Sequence, residues 1–278
     1  GLVIGNGDSS PFWTGTRIIS NILPALSKRG YMCHQLQGSS GVNVVRSAMQ
    51  YCVSGVIWLH PDKFLFPTIV DICNHNFLPL ICIKAFWPRS NDDIFPEGIP
   101  YVLEDYSAIG GKLVEPFIMR GHKRLAWVGT SAWRAEYVGF NSALQNAGLP
   151  FKNNCVADHI HNPGELTRIV IEQGVTGVVV LGGVRNIEFA FAELAALPDK
   201  FQPEVLVWDH PIAEICRKYP SIKIIAIAQD HEYKFAKVAV DMLLDSLEHS
   251  KNIASVKMET LQVNRTDKFF DTKNNKVN

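Results

Sequence analysis

The stretch Ile109-Gly-Gly-Lys-Leu-Val-Glu-Pro-Phe-Ile-Met-Arg-Gly-His-Lys-Arg-Leu-Ala-Trp-Val-Gly129 joins a helical pattern to an apolar strand and indicates the fold class. Gly121 can adopt the left-handed backbone conformation that ends a helix. Pro116 lies inside this helical pattern, as Pro24 lies inside the one at residues 15–28, so a kink or a break is expected at both prolines. The stretch therefore predicts a helix-to-strand corner of an α/β fold. His122 is interpreted as a polar residue that satisfies backbone groups at this corner, in preference to a catalytic histidine.

The same alternation of strands and helices extends over the rest of the chain. Apolar runs predict strands at residues 2–5, 31–36, 55–59, 78–83, 101–103, 125–129, 177–181, 204–208, 222–227 and 256–263. Helical patterns occupy residues 15–28, 42–51, 64–74, 108–120, 135–147, 165–173, 187–197 and 233–248. Such alternation is typical of parallel sheets with right-handed crossovers. The number of strands favours two α/β subdomains over one small sheet.

Composition excludes several classes of protein. The chain has 278 residues, 47% of them hydrophobic, and 27 basic residues balance 27 acidic ones. A neutral chain is a poor nucleic-acid binder by itself. No apolar stretch reaches the length of a membrane span and no signal peptide is evident, so we expect a cytoplasmic protein. The six cysteines form no C-x-x-C motif, and free thiols are favoured over disulfides or a metal cluster.

The first strand is followed by Gly5-Asn6-Gly7, which raises the possibility of a dinucleotide-binding loop. That loop needs a third glycine, where this chain has Ser10, and an acidic residue at the end of the second strand, where it has Gln37-Gly38. The nucleotide interpretation is therefore disfavoured. Phe12 and Trp13 instead lie at the carboxyl edge of a sheet, where open α/β sheets bind ligands.

Two further chemistries are considered and disfavoured. Asp158, His159 and His161 could ligate zinc, but no further ligand at close spacing is visible, so a solvated loop is preferred. The nucleophile motif G-x-S-x-G is absent from the sequence. We therefore expect no metal site, no cofactor and no enzymatic activity.

The order and spacing of several motifs resemble the effector-binding core of the lactose- and galactose-repressor family, whose fold is that of type I periplasmic binding proteins. The motifs that carry this resemblance are Ser10-Pro11-Phe12-Trp13, Asp105, Gly110-Gly111, Gly121-His122-Lys123-Arg124-Leu125-Ala126, Gly139-Phe140, Ala143-Leu144, Ala147-Gly148-Leu149-Pro150, Trp208-Asp209, Gln229-Asp230 and Val263-Asn264-Arg265-Thr266. Each is weak alone, but together they cover nearly the whole chain.

The resemblance implies two similar Rossmann-like parallel-sheet subdomains joined by a three-strand hinge. The N-terminal subdomain would contain residues 1–121 and 231–249, and the C-terminal one residues 122–230 and 250–265. The chain would cross near His122, Asp230 and Ser250, and residues 266–278 would form a flexible tail. A ligand would lie in the cleft between the carboxyl edges of the two sheets.

The resemblance also implies where a ligand is contacted. The candidates are Phe12, Trp13, Asp105, Trp133, Arg134, Glu136, Arg185, Asp209 and Gln229. Two departures from the family pattern stand out. Glu136 replaces a ligand-contacting arginine, and Gly183-Val184 replaces Asn-Asp. The exchange of arginine for glutamate reverses the charge offered to a ligand, which weakens the expectation of an anionic effector.

By resemblance, the predicted function is a ligand-sensing domain of a bacterial transcription regulator. A small polar effector, most simply a sugar, would control DNA binding by an attached helix-turn-helix domain that is absent from this chain, and the protein would act as a homodimer. The alternative is a free-standing solute-binding protein that delivers a sugar to a transporter. A third class, a sugar-modifying oxidoreductase, is disfavoured by the broken glycine fingerprint.

Overall fold

Two six-stranded sheets carry the fold. The computed structural model describes residues 2–6, 12–36, 46, 49–59, 66–84, 99–129, 134–149, 155–157, 162–182, 184–208, 213–230, 232–249, 256–258 and 261–265. The strands are β1 (Leu2–Asn6), β2 (Cys33–Leu36), β3 (Gly55–Leu59), β4 (Leu80–Lys84), β5 (Tyr101–Glu104), β6 (Leu125–Val128), β7 (Val156–Ala157), β8 (Gly177–Val180), β9 (Glu204–Trp208), β10 (Lys223–Asp230), β11 (Val256–Met258) and β12 (Leu261–Arg265). The helices are α1 (Phe12–Ser27), α2 (Phe66–His75), α3 (Tyr106–Lys112), α4 (Glu115–Met119), α5 (Arg134–Asn146), α6 (Glu165–Gln173), α7 (Val184–Ala195), α8 (Ala213–Lys218) and α9 (Glu232–His249), and a short 3-10 helix covers Asp199–Phe201.

The two sheets have closely similar strand orders. The first runs β11-β5-β4-β3-β1-β2 and pairs its strands in parallel. The second runs β12-β10-β9-β8-β6-β7 and is parallel except for β12, which is antiparallel to β10. Both are doubly wound orders in which the chain first moves outward and then reverses across its first strand. The predicted fold class, α/β with parallel sheets in two subdomains, is confirmed.

Side-chain alternation along the strands covers both faces of each sheet with helices. In β3, Ile57 and Leu59 pack with α1 and α9, whereas Val56 and Trp58 pack with α2. The second sheet repeats the arrangement: one face of β6 packs with α6 and α7, and the other face packs with α3, α4 and α5. Strands buried on both faces read as continuous apolar runs, which is why their positions were predicted from the sequence.

Helices α3 and α5 approach each other through two glycines. A Cβ atom on Gly110 would lie 1.9 Å from the carbonyl oxygen of Glu136, and one on Gly139 would lie 1.9 Å from that of Ser107. Neither position can therefore carry a side chain unless a backbone moves. The Gly110-Gly111 motif is thus partly explained as a packing requirement.

The chain divides into units at places that differ from the expected boundaries. The first unit contains Gly1–Asp105 and His231–Thr260, and the second contains Tyr106–Asp230 and Leu261–Asn278. Residues 106–121, expected in the N-terminal subdomain, instead pack through α3 against α5. Residues 250–260, expected in the C-terminal subdomain, include β11, which pairs with β5. The crossings consequently follow residues 105, 230 and 260, so those expected near His122 and Ser250 are misplaced.

Most predicted elements agree with the structure to within a few residues, with three instructive exceptions. The helix predicted at residues 108–120 is two helices, since α4 starts afresh with Pro116 in its first turn. By contrast, α1 continues through Pro24. The strand predicted at 256–263 is two strands in different sheets. The predicted helix at 42–51 and the tail at 266–278 lie largely or wholly outside the described residues.

We predict that Gly110→Ala lowers the free energy of unfolding by about 2–3 kcal/mol, because the added methyl group meets backbone atoms that cannot give way. Urea denaturation measures the change. The matched control is Gly111→Ala, whose Cβ would lie 3.8 Å from the Cβ of Ala143, an ordinary contact. That control should be neutral or stabilise by up to about 1 kcal/mol, as alanine favours helices. Equal effects of the two substitutions would contradict the packing argument.

Candidate functional site

The carboxyl edge of each sheet has a point where the winding direction changes. In the second sheet this point lies between β6 and β8, which are paired with Val128 opposite Val180. Ligands of open α/β sheets bind outside the carboxyl ends of the strands at such a point. The helices that follow these two strands, α5 and α7, therefore present their first turns at the place where a ligand is expected.

Four predicted site residues are described by their backbone position, three of them at helix starts and one in a strand. Phe12 and Trp13 are the first two residues of α1, which follows β1. Arg134 is the first residue of α5, and Gln229 lies in β10 with Gln262 as its partner in β12. For these four the position in the backbone is described, without the side chain.

The remaining candidates divide into two groups. Asp105 is half-buried directly after β5, Glu136 is buried in the first turn of α5, and Arg185 is exposed in the first turn of α7. Trp133 and Asp209 lie outside the described residues, as do the histidines of the 158–161 segment. Glu136 and Arg185 thus share one edge of the second sheet, after the adjacent strands β6 and β8.

Packing holds the first turn of α5 firmly on β6. The Trp127 ring of β6 lies 5.0 Å from the Phe140 ring and 5.7 Å from the Tyr137 ring, measured between centroids. On its other side the backbone of this turn touches Gly110. Between these contacts Glu136 retains only 4% of its surface exposed.

Glu136 is a buried acid with few compensating interactions. Its own backbone N–H donates a hydrogen bond to the carboxylate, and burial raises the pKa of this carboxyl to about 7. None of the ion pairs formed by the described residues involves it. Burial penalises the charged form of the group, since water no longer solvates it. Near neutral pH this carboxyl can therefore either accept or donate a hydrogen bond.

The first turn of α7 offers a positive charge on the same sheet edge. The Arg185 guanidinium carbon lies 6.0 Å from the centre of the Phe189 ring, one turn further along the helix. The neighbouring Asn186 is buried, and a Cβ on Gly182 would lie 2.3 Å from its amide nitrogen. With φ at +116°, Gly182 also has a backbone conformation that other residues rarely adopt. This loop is thus shaped by a glycine and a buried amide.

The Gly121-His122-Lys123-Arg124 motif lies at the opposite edge of the second sheet, where the strands begin. The His122 ring is 2.8 Å from Glu204 and 3.0 Å from the Thr176 hydroxyl. Arg120 donates two hydrogen bonds to Glu204, at 2.5 and 2.8 Å, and Lys223 forms an ion pair with it. These interactions, that of Arg120 above all, hold the pKa of Glu204 well below its usual range.

This cluster corrects the expectation for His122. Its ring contacts the side chains of Thr176 and Glu204, instead of the backbone groups expected at the corner. Sequence reasoning missed Glu204, although a charged residue directly before an apolar strand was a visible signal. The motif therefore joins the amino ends of several strands, at the edge opposite the carboxyl ends of β6 and β8.

Other kinds of site find no support within the described part of the chain. No group of three or more His, Cys, Asp or Glu side chains there could hold a metal ion. None of the helices in the described ranges combines the length and hydropathy needed to cross a bilayer.

We predict that Glu136→Gln stabilises the protein above pH 7 and has little effect below pH 4.5. Because the pKa of this carboxyl rises from 4.5 on folding to about 7, the folded state binds the extra proton between these values, and stability falls as the pH rises through them. The loss reaches about 3 kcal/mol, and glutamine avoids it. Denaturation at pH 5 to 8 measures the difference between variant and wild type. The exposed Glu214→Gln serves as control, and a difference that stays constant with pH would refute the prediction.

We predict the opposite pH dependence for Glu204. Its pKa is lower in the folded state, so its contribution is complete above the ordinary value of 4.5 and is lost as the pH falls below it. Glu204→Gln should cost about 2 kcal/mol at pH 7 and progressively less as the pH falls below 4.5. The control is Glu172→Gln, since Glu172 pairs with Arg168 on the surface and should contribute at most about 0.5 kcal/mol. Equal losses for both variants at pH 7 would contradict the structural role of the cluster.

Comparison with known proteins bears on the fold. No protein-family model matches the sequence, and no curated protein is similar to it. Solved structures match nearly the whole chain. A regulatory protein of the LacI family from Chloroflexus aggregans is 14% identical with a TM-score of 0.68, over 94% of this chain and 96% of that one.

Two further matches represent the two predicted classes of function. The Cra transcriptional dual regulator of Pseudomonas putida, in complex with fructose 1-phosphate, is 13% identical with a TM-score of 0.62, over 95% of this chain and 98% of that one. A periplasmic sugar-binding protein of an ABC transporter from Legionella pneumophila is 16% identical with a TM-score of 0.58, over 92% and 97%. At these identities the likeness establishes the fold, which this chain shares with sugar-responsive regulators and with periplasmic binding proteins.

Proposed function

We propose that this chain is the ligand-sensing domain of a transcriptional regulator and that its effector is a small polar molecule, a sugar. One observation carries the proposal: both units, over nearly all of the chain, have the fold of the regulators from Chloroflexus and Pseudomonas. The Pseudomonas regulator holds fructose 1-phosphate, and the Legionella protein is a sugar-binding protein. By analogy we assign a sugar to this chain.

The proposed ligand contacts come from the carboxyl edges of the sheets. Aromatic side chains there would stack on the apolar faces of a sugar, and carboxylates and amides would take hydrogen bonds from its hydroxyl groups. The proposed set is Phe12, Trp13, Asp105, Trp133, Arg134, Glu136, Arg185, Asp209 and Gln229. Support comes from Glu136 and Arg185, whose helices start after the adjacent strands β6 and β8.

Regulation in this proposal is a shift of population. The effector would favour one arrangement of a homodimer, and that arrangement would set the operator affinity of an attached helix-turn-helix domain in the cytoplasm. The effector would leave chemically unchanged, since the protein acts as a sensor and not as an enzyme. The formal net charge of zero agrees with a sensing domain that does not contact DNA itself and is attached to a domain that does.

The second candidate is a solute-binding protein that delivers a sugar to a transporter. The Legionella match favours it, and its fold requirements are the same. The Gly121-His122-Lys123-Arg124 and Asn264-Arg265-Thr266 motifs favour the regulator, because the sequence of both resembles the repressor family. The full gene product separates the two: an upstream helix-turn-helix supports a regulator, and a secretion leader supports a transporter component.

We predict that one sugar class raises the melting temperature of the protein in a panel of mono- and disaccharides, polyols, nucleosides and sugar phosphates. A ligand that binds the folded state alone stabilises it by about 2.7 kcal/mol at a hundredfold excess over its dissociation constant. Asp209→Ala should abolish the shift. The control is Asp245→Ala, which changes an exposed acid on α9 and should leave the shift intact.

The same experiment can overturn the proposal. Absence of a shift with every compound in the panel would contradict a sugar sensor, and chemical conversion of the bound sugar, followed by chromatography, would indicate an enzyme.

A further inference from the structure

Two buried carboxylates of the second unit have contrasting surroundings. Glu204, at the start of β9, is held by Arg120, His122 and Lys223. Glu136, at the start of α5, is the more deeply buried of the two, with 4% of its surface exposed against 9%. Nevertheless, its one hydrogen bond within the described ranges comes from its own backbone N–H. Buried acids are normally paired, because removal from water without a partner is costly.

The position of Glu136 is also special. Helix α5 has 13 residues and follows β6, the strand at which the winding of the second sheet reverses. The free N–H groups and the dipole of such a helix start attract an anion. Above pH 7 the protein supplies that anion itself, because the ionised Glu136 carboxylate accepts a hydrogen bond within the first turn. In that pH range an incoming phosphate or carboxylate would meet like charge, whereas a hydroxyl or ammonium group would find an acceptor that no other side chain among the described residues engages.

We propose that Glu136 restricts the effector to sugars that present hydrogen-bond donors and carry no negative charge at this helix start. The class comprises neutral and aminated sugars and excludes sugar phosphates and sugar acids. This inference rests on the proposed sugar-sensing function. It adds that Glu136 is the residue that discriminates between ligands by their charge. It separates this chain from the Pseudomonas regulator, whose structure contains fructose 1-phosphate.

A purely structural role for Glu136 has different consequences. A glutamate in the first turn of a helix can serve as a cap that stabilises the helix and contacts no ligand. Its replacement would then change stability alone. If Glu136 reads the ligand, replacement changes the ratio of affinities for two ligands that differ only in charge, and a general loss of stability leaves such a ratio unaltered.

The test uses matched probes in isothermal titration calorimetry of the whole chain at pH 8, where the Glu136 carboxyl is ionised. Glucose, galactose and mannose are each compared with the corresponding 2-amino sugar and 6-phosphate. For any hexose that binds, we expect the wild type to prefer the free or amino sugar to the phosphate by at least tenfold. Wild-type protein alone decides this arm, so it does not depend on how well a variant folds. A phosphate that binds as tightly as its parent sugar would overturn the inference.

Variants then assign the preference to Glu136. Glu136→Gln should reduce the ratio to less than threefold, while Glu136→Asp, which keeps the charge, and the exposed Glu214→Gln should preserve it. An unchanged ratio in Glu136→Gln, with binding of the free sugar intact, would refute the role of Glu136 and leave the proposed function standing. Failure of every probe to bind, together with no shift across the wider sugar panel, would refute the proposed function and this inference with it.

Discussion

The second unit depends on the close approach of α3 and α5. Because the carbonyl oxygen of Glu136 occupies the space where a Cβ of Gly110 would lie, the two backbones meet without intervening side chains. This contact assigns residues 106–121 to the second unit, contrary to the boundary that family resemblance implied. It also places the first turn of α5 against β6, so the geometry of a candidate ligand site follows from a packing requirement between α5 and the neighbouring helix α3.

How far the sequence predicts this fold depends on the length of each element. Apolar runs such as β3 and β9 are found at their exact positions, because strands covered on both faces leave an unmistakable pattern. The two residues of β7 and the six of α8 leave no period to detect and were not predicted. The separation of β11 from β12 was missed for another reason: sheet membership is decided by pairing partners, and local sequence carries no record of them.

For the candidate site, too, the sequence predicts some features and not others. Topology places polar residues at strand ends, so Glu136 and Arg185 could be assigned to one sheet edge from the order of elements alone. The burial of Glu136 could not be anticipated, because nothing adjacent to it in the sequence indicates that only 4% of its surface remains exposed. The partners of Glu204 could not be anticipated either, since His122 and Arg120 lie 82 and 84 residues away in the sequence. Charge pairing across such distances is a property of the folded chain.

The two edges of the second sheet each hold a buried glutamate, and the surroundings of these two glutamates are opposite. At the amino edge Glu204 is surrounded by cations and contributes to stability, so its presence is explained by the fold alone. At the carboxyl edge Glu136 remains in the charged form only at a cost above pH 7, and glutamine would serve the packing equally well. A group that weakens the fold, and whose interactions within the described residues do not offset its burial, is more simply explained by a partner that arrives from outside the chain. Its place at the start of α5, where α/β sheets receive ligands, is the reason to identify that partner as the effector.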